Sequence, residues 1–169
     1  YGQPAKIWNE ALPVGNGRLG AMVFGGVTGE RIQFNESTLW TGRPHDYAKP
    51  NAVQHLPELR RLITAGQTND AHLLARREFL GDPARQQAYQ PFGDIRLDFP
   101  AAAAPAIRYT RELDLARAVA AVTYTEGETR FRRETFASHP AKALVTRLSA
   151  SHPGRVNVRV RLDSPHRGT

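Results

Sequence analysis

Two strand-like segments joined by a tight turn occupy residues 119–137, which read VAAVTYTEGETRFRRETFA. Both segments are rich in β-branched and aromatic side chains, which favour extended backbone. Between them, Glu126-Gly127-Glu128 offers a glycine, the residue that accepts the positive φ angles of tight turns at the least steric cost. Because antiparallel strands need only a short turn whereas parallel strands need a long crossover, the stretch predicts an antiparallel β-hairpin.

Further strands are predicted on both sides of this hairpin, because apolar and polar residues alternate there with the period of two that marks a half-buried strand. The pattern covers residues 95–99, 107–114, 143–148 and 156–162, and in the last of these Val156, Val158, Val160 and Leu162 form the apolar face. Successive short strands with tight turns favour an all-β, mainly antiparallel fold of two packed sheets, a β-sandwich. The many arginines of these strands are expected on their solvent-facing sides.

A second hairpin is predicted near the start of the chain. Gly15-Asn16-Gly17 signals a tight turn, since glycine and asparagine accept positive φ angles. The apolar run at residues 21–24 is followed by a turn at residues 27–29 and by Arg31-Ile32-Gln33-Phe34, whose polar and apolar residues alternate. The two segments are expected to pair as antiparallel strands.

A short two-helix insert is predicted between about residues 55 and 81. The first helix carries apolar residues at helical spacing, namely Leu56, Leu59, Leu62 and Ile63. Gly66 suits its C-terminal end, and the second helix begins near Thr68 and ends before Gly81 and Pro83. We expect both apolar stripes to pack against the sandwich, and the 169 residues to form a single domain.

Composition narrows the classes of function. The formal charge is +7, but the basic residues alternate with acidic and apolar ones instead of forming a stripe with aromatic residues, so no nucleic-acid partner is expected. Nor is a membrane partner expected, because no apolar run approaches the roughly 20 residues that span a bilayer. The chain has no cysteine and its 6 histidines are scattered, so we expect neither a metal site nor a cofactor.

Side chains that suit a polyhydroxylated ligand gather in two places, since amides and carboxylates bind hydroxyl groups and aromatic rings stack on sugars. Those in and around the opening hairpin are Trp8, Asn9, Glu10, Asn16, Asn35, Glu36 and Trp40. Those in the polar loop before Gly93 are Gln87, Tyr89 and Gln90. For this loop three interpretations stay open: it lines a saccharide pocket, it docks on another domain, or it only connects two elements.

Two carboxylates of the opening stretch, Glu10 and Glu36, are candidates for chemistry. If they met across the hairpin, they would supply the acid and the base that glycoside hydrolysis needs. Carboxylates in such places more often accept hydrogen bonds from loop amides or pair with arginines, here Arg18 and Arg43. We expect this second role, and therefore no catalytic residue in the chain.

Three separated blocks, taken together, resemble one known family. They are Trp8–Gly42, QAYQPFGD at residues 87–94 and FASHP at residues 136–140. The sequences of these blocks, and their order along the chain, resemble those of the N-terminal domain of the inverting α-L-fucosidases of glycoside hydrolase family 95. The resemblance implies a supersandwich-like β-sandwich placed before an (α/α)6 barrel that carries the catalytic carboxylates and lies outside these 169 residues.

The resemblance also implies partners and a reaction. The chain would pack on the catalytic barrel of the same parent protein and help to shape the site for an oligosaccharide substrate. The parent would hydrolyse terminal α-L-fucosyl linkages with inversion, with α-galactosyl linkages as the alternative. Because the chain opens without methionine, we expect it to derive from a longer precursor. We expect the parent protein to be periplasmic or secreted. A stand-alone carbohydrate-binding module and a structural domain without a ligand remain open as alternatives.

Overall fold

The computed structural model describes residues 1–82, 87–100 and 105–166. The chain divides into two compact units. Residues 1–39 together with those from residue 90 onward form the first unit, and residues 40–89 form the second. The strands lie in the first unit and the two α-helices in the second.

The strands of the first unit are, in chain order, β1 (Leu12–Gly15), β2 (Leu19–Val23), β3 (Gly29–Glu36), β4 (Gly93–Asp98), β5 (Ile107–Asp114), β6 (Val119–Glu126), β7 (Thr129–Ser138), β8 (Ala143–Ala150) and β9 (Arg159–Asp163). Sheet 1 has the order β1-β2-β3-β4-β9 and sheet 2 the order β5-β6-β7-β8. Every strand pairing among the described residues is antiparallel. The predicted two-sheet antiparallel sandwich is confirmed.

The core lies between the two sheets, where β1 packs against β5, β6 and β7, and β2 packs against β7 and β8. Its buried side chains come mainly from the first strands of sheet 1, with Ala120 contributed by β6. Ile32 and Val23 are among the most completely buried large side chains. Both belong to the predicted N-terminal hairpin, because β2 pairs with β3 in the register Val23↔Ile32.

Two arginines depart from the expectation that strand arginines face solvent. Arg111 of β5 is 2% exposed and Arg133 of β7 is 4% exposed. Arg111 stands among the apolar positions of an alternating strand, so its register placed it on the inner face. A buried guanidinium needs partners, because an unpaired charge in an apolar interior is costly.

The last strand begins later than its alternating sequence pattern predicts. Residues 156–158 are not in a strand, and β9 spans only Arg159–Asp163. The apolar face expected to be buried is solvent-exposed along this strand, with Val160 at 59% and Leu162 at 74%. A period of two predicts which side chains share a face, but burial of that face requires another layer over it.

The second unit contains the predicted helical insert. A 3-10 turn at Ala52–His55 leads into α1 (Leu56–Thr64), and α2 spans Thr68–Glu78. Gly66 adopts a φ of 71° after α1, as its predicted place at the helix end requires. Leu62, Ala71 and Leu74 pack on one another with Leu59 at the edge, whereas Ile63 of the predicted stripe is exposed. Pro83, named above as a helix-ending signal, lies outside the described residues.

Among the described residues, no helix has both the length and the apolar character to cross a membrane.

Candidate functional site

Asn16 closes the turn between β1 and β2 and joins it to the opposite sheet. Its Oδ1 accepts hydrogen bonds from the backbone N–H groups of Arg18 (3.0 Å) and Leu19 (2.8 Å), an arrangement that asparagine favours in turns. Its Nδ2 donates to the carbonyl oxygen of Ser138, the last residue of β7, at 2.8 Å. One amide therefore fixes the local turn and ties together two blocks that lie 122 residues apart.

A cavity of about 240 Å³ opens beside this link and is lined by Asn16, Gly17, Arg18, His139 and Lys142. The β1–β2 turn supplies the first three residues and the β7–β8 turn the last two. Lys142 has a φ of 50°, which is uncommon for a residue with a side chain and reflects the tightness of its turn. Arg18 and Lys142 carry charged donor groups, while the surface that lines the cavity is mainly apolar.

Glu36 ends β3 opposite Leu19 in the β2–β3 register, and it pairs with Arg18, which lines this cavity. It accepts hydrogen bonds from Arg18 Nε (2.9 Å), Thr38 N (2.8 Å) and Thr38 Oγ1 (2.5 Å). The hydrogen bonds from Thr38, followed by the Arg18 guanidinium, lower the pKa of Glu36 below 4.5. This is the pairing role expected from the sequence, with Arg18 as the partner.

The lowered pKa of Glu36 makes a prediction about acid stability. A carboxylate whose pKa is lower in the folded state stabilises the fold above its unfolded pKa, and this contribution is lost as pH falls through the folded pKa. Glu36→Gln is therefore expected to lower the melting temperature at pH 7 and to lose less stability than the native chain below pH 4.5. Thermal unfolding from pH 7 to pH 3 tests this, with Glu128→Gln in the exposed β6–β7 turn as the control. Parallel curves for the native chain and Glu36→Gln would contradict it.

Glu10 lies at the other end of the hairpin. It closes a 3-10 turn at Trp8–Glu10 by accepting a hydrogen bond from Lys6 N at 2.7 Å, and that bond is the largest cause of its lowered pKa. The turn precedes Leu12, which is four register steps from the level of Glu36, or about 13 Å along the strands at roughly 3.3 Å per residue. The two carboxylates do not meet across the hairpin.

Trp8 stands on this 3-10 turn and is 56% exposed, and Asn9 beside it is exposed as well. The segment is held by Arg111, whose Nη1 donates to the carbonyl oxygen of Glu10 at 2.5 Å and whose Nε donates to that of Gln3 at 3.3 Å. The guanidinium also lies 4.7 Å from the centre of the Tyr1 ring, within cation–π range. Sequence reasoning missed Arg111, although its position on an apolar strand face was a signal.

Asn35 and Gln90 join the second sequence block, residues 87–94, to the end of β3. Asn35 Oδ1 accepts a hydrogen bond from Phe92 N at 3.0 Å, and the rings of Phe34 and Phe92 lie 4.8 Å apart. The backbone N–H of Gln90 donates to the carbonyl oxygen of Leu39 at 2.9 Å. Residues 90–92 are thus anchored within the first unit by backbone and amide contacts.

Trp40, Gln87 and Tyr89 belong to the second unit. Trp40 forms an antiparallel bridge with Tyr89, and their rings lie 5.1 Å apart with 59° between their planes. Gln87 donates through Nε2 to the Tyr47 hydroxyl at 2.8 Å. Trp40 is 50% exposed and the two rings are tilted, so they do not form a single flat platform of the kind on which a sugar ring stacks.

The candidate residues therefore fall into three groups. Asn16, Asn35 and Glu36 lie at the turn end of the N-terminal hairpin, with Gln90 joined to the chain just beyond it. Trp8, Asn9 and Glu10 lie beyond the opposite end of β1. The third group, Trp40, Gln87 and Tyr89, is in the second unit. Their assignment to a pocket or an interface stays a prediction.

Comparison with known proteins gives a family and several relatives. The model of the glycosyl hydrolase family 65 N-terminal domain matches residues 1–169. α-L-fucosidase 2 of Arabidopsis thaliana is 41% identical over 97% of this chain and 19% of its own length. Probable α-fucosidase A of Aspergillus niger is 33% identical over 89% of this chain and 19% of its own length. Its counterpart in Aspergillus oryzae is 28% identical over 89% of this chain and 21% of its own length.

The chain thus spans about a fifth of the length of the curated relatives that it matches. The matching family carries the number 65, whereas the sequence blocks resembled family 95. Both descriptions agree that this is an N-terminal domain of glycoside hydrolases, and the relatives are named as fucosidases. With its whole length matched, the chain belongs to the glycosyl hydrolase family 65 N-terminal domain family.

Proposed function

We propose that this chain is the N-terminal domain of a larger α-L-fucosidase-like glycoside hydrolase of family 95. The parent enzyme hydrolyses terminal α-L-fucosyl linkages of oligosaccharides with inversion, and α-galactosyl linkages are the alternative substrate. The names of the relatives support the fucosidase class, and their greater length leaves room for a separate catalytic domain. The role of this domain is to pack on that catalytic barrel and to help shape its substrate site.

The observation that carries this proposal is the arrangement of carboxylates around the candidate site. Inverting hydrolysis needs a protonated acid and a carboxylate base roughly 6.5–9.5 Å apart, and the acid requires a raised pKa. Among the described residues that line the 240 Å³ cavity there is no carboxylate. Glu10 and Glu36 both have a lowered pKa and lie toward opposite ends of the hairpin. We therefore assign the acid and the base to the barrel.

The turn end of the hairpin is suited to support such a site without taking part in the chemistry. The bond between Asn16 and Ser138 fixes the β1–β2 and β7–β8 turns together, so that Arg18, His139 and Lys142 face one cavity. These side chains donate hydrogen bonds that sugar hydroxyls or barrel carbonyl groups accept. Preorganised donors of this kind orient a ligand and leave bond cleavage to other groups.

The two tryptophans test the proposed role in the full-length parent. For Trp40 we expect a place at the domain interface, where truncating a fully packed tryptophan costs about 3–5 kcal/mol. Trp40→Ala should then lower the melting temperature while the remaining folded enzyme keeps nearly normal kinetic constants. For Trp8, on an exposed turn, we expect a place at the edge of the pocket. Trp8→Ala should raise KM or lower kcat with the melting temperature unchanged.

A matched control for both variants is Leu115→Ala, because Leu115 is exposed in the turn after β5. Differential scanning calorimetry and fucoside hydrolysis kinetics on the same preparations separate the two roles. If Trp8→Ala and Trp40→Ala both behave like Leu115→Ala, neither tryptophan serves the barrel, and the proposed role of the opening stretch is refuted.

A stand-alone carbohydrate-binding module is the second candidate function, favoured by the half-exposed ring of Trp8. It predicts that oligosaccharides quench the tryptophan fluorescence of the 169-residue chain to saturation, and that Trp8→Ala removes the effect. The domain role predicts no saturable change with the chain alone.

A further inference from the structure

The two faces of strand β9 differ. Charged side chains on one face form ion pairs, whereas the apolar side chains Val160 and Leu162 on the other face, called the bare face, are exposed to solvent. On the polar face, Arg161 Nε pairs with Asp98 Oδ2 at 2.7 Å and Arg96 Nε pairs with Asp163 Oδ2 at 3.3 Å, so cross-strand ion pairs join β9 to β4. These charged residues define the solvent side of sheet 1 at this edge. The opposite face carries Val160 and Leu162.

The bare face is continuous with the core of the sandwich. Val160 stands opposite Leu97, and Leu162 stands opposite Ile95. Leu97 is a buried core residue at 5% exposure, and Ile95 packs against the core cluster. Residues directly opposite each other on paired strands point to the same face of the sheet. The exposed 59% of Val160 and 74% of Leu162 is therefore core-facing surface without a covering layer.

The layer that would cover it is sheet 2, which ends at β8. Leu144 and Leu148 of β8 already pack against the core, so the inner face of this edge strand points the same way as the rest of sheet 2. β1 packs against β5, β6 and β7, and β2 against β7 and β8, so β8 is the edge of sheet 2 on the side of β9. In the described residues no strand of sheet 2 lies beyond β8.

The free edge of β8 is suited to pair with another strand. Ser151 N donates to Arg130 O at 2.9 Å, and together with the β7–β8 register this bond shows which residues of β8 direct their backbone N–H groups toward β7. In an antiparallel pair alternate residues point their backbone groups toward the partner. The amides of Val145, Arg147 and Ser149 then point to β7, and those of Leu144, Thr146 and Leu148 point away from it. An eight-residue edge with one charged side chain and no proline is a template for strand addition.

We propose that a further β-strand of the parent polypeptide pairs with the free edge of β8 and covers Val160 and Leu162. The parent chain is the occupant because the relatives are about five times as long as the stretch that they share with this chain. A second copy of the chain fits less well, since each copy carries a formal charge of +7 and like charges repel. The proposal extends the sandwich and does not depend on the substrate of the parent enzyme.

Leu162→Ala in the full-length parent tests the cover, with Leu115→Ala as the matched control. Both leucines are exposed in the 169 residues, at 74% and 84%, so without a cover both substitutions should have equally small effects. With the cover, Leu162→Ala removes packed side-chain volume and should lower the melting temperature of the sandwich by about 5 °C or more, while Leu115→Ala changes it by about 1 °C or less. Equal, small changes for both variants would overturn the proposal.

Hydrogen exchange of the native parent, resolved to single amides, tests the strand itself and does not depend on any variant folding. The amides of Leu144, Thr146 and Leu148 should be protected to the same degree as those of Val145, Arg147 and Ser149. Fast exchange of the first three would overturn strand addition even if Leu162→Ala is destabilising, because the cover would then be something other than a paired strand. Protection that rises with protein concentration would identify a second copy as the occupant and overturn the assignment to a strand of the parent chain.

Discussion

Arg133→Met is expected to lower the free energy of unfolding by about 3–5 kcal/mol at neutral pH, because it leaves a buried carboxylate without its cation. Arg133 and Glu30 lie 3.3 Å apart with side chains that are 4% and 2% exposed. Burial raises the pKa of Glu30, and the Arg133 guanidinium is the largest effect that opposes this rise. Removing the guanidinium leaves the full cost of burial in place.

The surroundings of Arg133 show what else the substitution changes. Its Nη2 donates to the carbonyl oxygen of Gly26 at 2.5 Å, and the guanidinium lies 5.0 Å from the ring centre of Phe99 and 5.7 Å from that of Tyr124. Methionine retains much of the packing against these rings, so the main loss is electrostatic. Arg130→Met on the same strand is the control, since Arg130 is exposed and should change stability by about 0.5 kcal/mol or less.

The cause can be checked by neutralising Glu30. In the Arg133→Met background, Glu30→Gln should recover a large part of the lost stability, because the amide oxygen still accepts hydrogen bonds from Gly25 N and Arg31 N while the side chain carries no charge. Lowering the pH should also recover part of the stability lost in Arg133→Met, because it protonates Glu30. A carboxylate with a raised folded pKa stabilises most below its unfolded pKa and loses this contribution as pH rises through the folded value. Both effects can be measured by urea unfolding at pH 5 and pH 7 of the native chain, both single variants and the double variant. If neither acid nor Glu30→Gln reduces the loss in free energy of unfolding caused by Arg133→Met, the electrostatic cause is refuted.

Local sequence signals predicted the elements whose structure is set by neighbouring residues. The stretch 119–137 became β6 and β7, paired from Ala120↔Thr135 to Glu126↔Thr129, with Gly127 at a φ of 57° in the turn. The helix end at Gly66 and the turn at Asn16 were predicted for the same reason. Turn chemistry and side-chain period act over a few residues, so they can be recognised without a tertiary structure.

Contacts between distant parts of the chain could not be predicted in this way. Asn16 and Ser138 were each named in sequence blocks, but no local signal indicated that one donates a hydrogen bond to the other. The burial of Arg133 depends on Glu30 and Phe99, which lie on other strands and loops. The exposure of Leu162 was missed because it depends on how far the opposite sheet extends.

The central claim, that this chain is the non-catalytic N-terminal domain of a fucosidase-like enzyme, is tested most directly by fucose release. The 169-residue chain and the full-length parent are incubated at equal molar concentration with an aryl α-L-fucoside and with a fucosyl oligosaccharide, and free fucose is measured. The account predicts release by the parent and none above the blank by the chain alone, because Glu10 and Glu36 both have a lowered pKa and do not meet across the hairpin. Release by the chain alone that disappears in Glu10→Gln or Glu36→Gln would contradict it, since the chemistry would then lie in this domain.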